Sequence, residues 1–242
     1  MPAISALVSL LVMGTVAANS IIPHLLDSHV ARSVLVLDPA KTVFDDLMRK
    51  DLISPSRRLV RKQPYSRVVN FRTSRFHPDT IYAIGNVSKL PEGSITFALL
   101  HEEGHKTERQ NSRWVLAAMG CVGAPTMALA IWHGISGIPS GALDWAIYLS
   151  GALFVLFCPR IFRRWIFMDE TRADLFAART MKRAYPGITT REVADAARIA
   201  LRAAGRKRKG GLEERLVLDW MGWEVHPKDE ERIEKIMSLD LL

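Results

Sequence analysis

Only two cysteines, Cys121 and Cys158, occur in 242 residues, and there is no C-x-x-C pair. That excludes a disulfide scaffold and a cysteine-ligated zinc module, and leaves two reduced packing thiols. No internal repeat or long low-complexity tract is present, which excludes a solenoid or a disordered tether. Charge is missing locally rather than overall. Residues 1–26, 114–143 and 145–159 contain no Asp, Glu, Lys or Arg. The chain as a whole is basic, with 33 Lys plus Arg against 25 Asp plus Glu and a formal net charge of +8.

The uncharged stretches are long enough to suggest a membrane protein. Trp114 to Trp132 would extend roughly 28 Å as a helix, the thickness of a bilayer core, with a Trp at each end as an interfacial anchor. Residues 142–162 form a second such span, and "HGISGIPSGALD" between them suggests a turn, making a hairpin. Residues 1–26 lack the basic start of a signal peptide and suggest an uncleaved anchor. Arg32 and Lys41 follow the first span, Lys106, Arg109 and Arg113 precede the second, and Arg160, Arg163 and Arg164 follow the third. By the positive-inside rule the N-terminus and the hairpin turn face outward, and the rest faces the cytoplasm. The expectation is therefore a mainly α, multi-pass cell-membrane protein. It has an N-terminal transmembrane anchor (1–26), a first catalytic part (27–113), a transmembrane hairpin (114–162) and a second catalytic part (163–242). The bilayer then accounts for the basic surface, and a nucleic-acid partner is not needed. The basic run 206–209 is expected as a solvated loop after a helix from about Thr190 to Ala204.

The chemistry is concentrated in "ITFALLHEEGHKTERQ", where His101, Glu102 and His105 satisfy H-E-x-x-H. Residues four apart share a helix face, so both imidazoles can reach one ion, and Glu102 stands beside them as a general base. Ser94 is the expected N-cap of this helix. Two histidines leave an ion short of a third protein ligand. After Glu108 the next acid is Asp144, on the outer turn, and then come Asp169, Glu170 and Asp174. In "MDETRADLFAART" helical spacing puts Glu170 and Asp174 on one face. These acids suit a third ligand and its outer acceptor, but taken alone they are better read as neutralising the first turn of a helix.

H-E-x-x-H, then "ETRAD", then "HPKDEERI" in that order resemble the membrane zinc metallopeptidases of the HtpX and CAAX prenyl protease type. The resemblance covers about residues 75–235. It implies a zincin-like α+β metallopeptidase domain holding one zinc ion per chain on His101, His105 and Glu170, with Asp174 behind the ligands. It further implies that Glu102 is the catalytic base, and that His226 and Arg232 line the active site and assist the polarised carbonyl. An edge strand that receives substrate is implied too, and "TIYAIGNV" supplies its expected residues Ile81, Tyr82, Ala83 and Ile84. The implied activity is zinc-dependent endopeptidase cleavage of protein substrates, unfolded or damaged membrane proteins in particular.

The chain departs from the family in having one expected span before the catalytic part, and too few spans for a CAAX-protease chamber. A metzincin would need Gly at 108 and His at 111, where Glu108 and Asn111 stand. An intramembrane site-2-type protease would carry H-E-x-x-H inside a spanning helix, and only Ile95 to Leu100 precede His101. The remaining alternative is a catalytically inactive, membrane-anchored adaptor.

Overall fold

A computed structural model describes residues 39–62, 69–73, 78–107, 128, 132, 141–205 and 227–241. Helix α1 (Pro39–Arg49) buries Ala40, Val43, Phe44 and Leu47, the i, i+3, i+4, i+7 stripe of an amphipathic helix. Three short strands follow: β1 (Arg58–Lys62), β2 (Asn70–Thr73) and β3 (Thr80–Ile84). The order is β1-β3-β2, with β1 parallel and β2 antiparallel to β3. Ile81, Tyr82 and Ala83 are all buried, so both faces of the central strand are covered.

Helix α2 (Glu92–Thr107) carries H-E-x-x-H. It starts behind Pro91, whose carbonyl accepts from the amides of Ser94 and Ile95. Ser94, expected as the N-cap, instead lies buried in the first turn. Helix α3 (Gly141–Ala184) runs for 44 residues. Helix α4 (Thr190–Ala204) opens on a capping box, with Thr189 accepting from the Glu192 amide and Glu192 accepting from the Thr189 amide. Helix α5 (Asp229–Met237) follows Pro227, with Lys228 as its N-cap and three acids in its first turn.

One core joins these elements. Ile95, Phe97, Leu99 and Leu100 of α2 cluster with Ala177, Ala178 and Met181 of α3, Val193, Ala194 and Ala197 of α4, and Ile233 and Ile236 of α5. Small residues on α3 let α2 come close. A Cβ added at Gly104 would stand 2.9 Å from the Ala173 Cα and 3.1 Å from its carbonyl oxygen. Glycine is needed there because the obstruction is backbone, which cannot rotate away. The site residues on the two helices are brought together by this close approach.

The three-span expectation is overturned. Among the described residues no helix is long and apolar enough to cross a membrane. The multi-pass topology, the cell-membrane location and the cytoplasm-facing assignment that rested on those spans fall with it. The expected third span does not end at Phe162: it runs on without a break into the charged half of α3, with Arg164, Asp169, Glu170, Arg172 and Asp174. Residues 1–26 and nearly all of 114–132 lie outside the described residues. Lys106, counted above as a membrane-edge charge, has a different employment: its ammonium is 2.7 Å from Asp79 and 2.8 Å from the Ser56 hydroxyl.

Candidate metal centre

His101 and His105 sit one turn apart on α2, and their Nε2 atoms face each other at 3.0 Å. The Glu170 carboxylate closes the third side, with Oε2 3.5 Å from His101 Nε2 and Oε1 3.6 Å from His105 Nε2. Two ligand atoms of a tetrahedral site with bonds of 2.0–2.2 Å stand about 3.3–3.6 Å apart. The two Glu170 distances match that spacing, and the distance between the imidazoles is shorter. Glu102 belongs to the same cluster: one ligand atom from each of His101, Glu102 and His105 lies within 4.8 Å of the others, and this group could hold a metal ion.

Each imidazole has a carboxylate behind it. His105 Nδ1 lies 3.1 Å from Asp169 Oδ2. His101 Nδ1 lies 2.9 Å from Asp174 Oδ1. A carboxylate at Nδ1 orients an imidazole and leaves its Nε2 available as a donor atom. Asp174 is buried and receives a two-pronged contact from Arg232, Nε to Oδ2 at 2.6 Å and Nη2 to Oδ1 at 2.7 Å. The same Nη2 lies 3.2 Å from Glu170 Oε2. Arg232 thus offsets two buried carboxylates at once, which neither could support alone.

These contacts set the protonation states. Burial disfavours charge on His105, but the Asp169 hydrogen bond and the charges of Glu102, Glu170 and Asp169 outweigh it and raise the pKa to about 9. Burial likewise opposes the Asp174 carboxylate, yet Arg232 and His101 hold its pKa below the usual value. With no ion bound, His105 therefore supplies the positive charge that the acids require.

The strand side of the site is built from main-chain groups. The Thr73 amide, at the end of β2, donates to Glu102 Oε2 at 2.5 Å. Arg57, just before β1, has a fully buried side chain paired with Glu103, Nε to Oε2 at 2.7 Å. Its Nη2 donates to the Glu102 carbonyl at 2.7 Å, and its Nη1 reaches the Pro78 carbonyl and, at 3.4 Å, the Thr73 hydroxyl.

His101, Glu102, His105, Glu170 and Asp174 are brought into one cluster, as their motifs suggested. Arg232 joins them in a different posture from the expected one: it is buried, and its guanidinium is directed to Asp174 and Glu170 rather than open to a polarised carbonyl. His226 lies outside the described residues. The substrate-edge expectation for Ile81, Tyr82, Ala83 and Ile84 is corrected by the sheet order. β3 is paired on both sides, so its backbone has no free edge for a peptide. A short apolar run is the same signal for an edge strand and a covered central one. The edge next to Glu102 is β2. Sequence reasoning missed Arg57, Thr73 and the burial of Glu103, and weighed Asp169 without a partner. Thr73 acts through its amide, which no residue identity reveals.

No family model, curated protein or solved structure matches the chain. The functional reading therefore rests on the site's own chemistry and on the order of its motifs.

Proposed function

We propose that this chain is a zinc-dependent endopeptidase of the HtpX-like type, acting on unfolded polypeptide. One observation carries the reading: two imidazole Nε2 atoms and a carboxylate converge at 3.0–3.6 Å, with a further carboxylate behind each imidazole and a glutamate beside them. Two histidines, one glutamate and an open fourth position form the ligand set of a catalytic zinc, whereas structural zinc sites are closed by four protein ligands. His101, His105 and Glu170 would hold the ion. When bound, zinc supplies Lewis acidity, polarising a carbonyl and acidifying water to a pKa of about 7.

The chain's own residues supply the rest. Glu102 takes a proton from the attacking water and returns it to the leaving amine. The Thr73 amide holds one oxygen of that carboxylate, which leaves the other to exchange the proton. Asp174 and Asp169 stand behind the two imidazoles, and Arg232 holds Asp174 ionised and reaches Glu170 inside a buried site.

The test uses the purified chain and unfolded casein. Cleavage is expected, is lost on chelation and returns with zinc. Glu102→Gln keeps zinc after dialysis and slows cleavage about 10²- to 10⁴-fold, whereas Glu170→Ala loses the metal and the activity with it. Cleavage that survives chelation, or that survives Glu102→Gln, overturns the reading.

A further inference from the structure

We propose that Arg57 is the positioning residue for Glu102. Its guanidinium holds the H-E-x-x-H turn of α2 against the segments around β2 and β3, so that the Thr73 amide stays on the Glu102 carboxylate. Naming Glu102 as a base rests on the peptidase reading, whereas the placement of its carboxylate does not.

The geometry is specific to arginine. One planar fork reaches acceptors on separate segments: the Glu103 carboxylate and the Glu102 carbonyl on α2, the Pro78 carbonyl ahead of β3, and the Thr73 hydroxyl on β2. The same group therefore touches both the residue that bears the carboxylate and the residue whose amide binds it. A lysine ammonium is a single point charge and cannot span these acceptors together. The Glu102 carbonyl lies within the helix, so Arg57 Nη2 fixes that residue's own backbone rather than the helix in general. Around it, the Ser54 amide donates to Glu103 Oε1 at 3.4 Å, and Lys106 binds Ser54, Ser56 and Asp79, so the strand-side segments meet α2 on either side of the arginine.

Stability alone does not account for the arrangement. A buried ion pair replaced by apolar residues of similar volume is often no less stable, because desolvation offsets the attraction. What such a replacement cannot supply is the directed hydrogen bonding to Glu102, Pro78 and Thr73.

Arg57→Lys tests the assignment with two readouts. In hydrogen exchange, the Thr73 amide is expected to exchange at least tenfold faster while amides of α4 such as Val193 and Ala197 keep their protection. In casein cleavage, kcat is expected to fall tenfold or more with KM and zinc content retained, and with no further loss when the change is added to Glu102→Gln. Unchanged Thr73 protection, or loss in step with α4, overturns the proposal, since the first means no positioning and the second a merely structural role. If the unaltered chain fails to cleave casein, the peptidase reading falls and the exchange result alone decides the role of Arg57. Should Arg57→Lys not fold, Glu103→Gln keeps an acceptor for Arg57 Nε without its charge, and the same readouts are expected to move in the same direction by less.

Discussion

Two buried arginines stand on opposite sides of the site, and they are used differently. Arg232 meets carboxylate side chains, Asp174 and Glu170, and manages charge. Arg57 meets one carboxylate and then mainly backbone and hydroxyl oxygens, and manages position. The helix side of the centre thus depends on which residues are present, and the strand side on where the main chain runs. Losing the first arginine would leave Asp174 and Glu170 unbalanced, while losing the second would leave Glu103 unpaired and the Glu102 backbone without its anchor.

The largest effect expected from this contrast comes from truncating each arginine. Arg232→Ala strands Asp174 and Glu170 without their counter-charge, and breaking such a buried pair costs about 3–5 kcal/mol. Metal retention should fall with it. Arg57→Ala should lose comparable stability but keep the metal. Urea unfolding and metal content after dialysis check both variants, and equal metal loss from the two would erase the distinction.

A smaller effect is expected at the contact that joins the helices. Gly104→Ala places a methyl against the Ala173 backbone, and overpacking of this kind costs about 1–3 kcal/mol. Because α3 must move away, His101 and His105 separate from Glu170, so zinc affinity should fall while Thr73 stays bonded to Glu102. Zinc titration and thermal unfolding of the variant test this. An unchanged zinc affinity would mean that the approach of α2 to α3 does not set the ligand spacing.

A pH dependence confined to the helix side is also expected. His105 has a folded pKa raised to about 9 from 6.5, so its stabilisation of the metal-free chain is fully present below about 6.5 and is lost as pH rises through 9. Zinc competes with that proton, so zinc uptake near pH 7 should release protons and should strengthen as pH rises. Thermal unfolding from pH 6 to 9.5 with and without zinc measures both trends. Stability that increases with pH in the metal-free chain would contradict the assigned charge on His105.

The same contrast explains what was legible in the sequence. The helix side is spelled in side chains: His101 and His105 stand out by their i, i+4 spacing, and Glu170 and Asp174 by a motif order that resembles the HtpX-type family. The helix at Thr190–Ala204 was legible from its helical pattern, and a strand near Thr80 from its β-branched and aromatic run. The strand side had no such spelling: Thr73 contributes an amide, and Arg57 is one of 33 basic residues until the chain is folded around it. The membrane reading failed for a related reason. A stretch without charge shows what a helix could tolerate but not where the helix stops, and α3 continues through Phe162 into the charged segment that carries Glu170.

The 3.5 and 3.6 Å approaches of Glu170 to the two imidazoles join positions 65 or more residues apart in the chain. A site assembled across that separation cannot exist in a collapsed or half-helical chain, where only the pair on α2 would be present to bind weakly. A bound ion is therefore expected to act on the unfolding barrier: contacts completed only in the native state slow unfolding and leave the folding rate nearly unchanged. For this chain, metal occupancy would set the lifetime of the folded state more than the speed of reaching it.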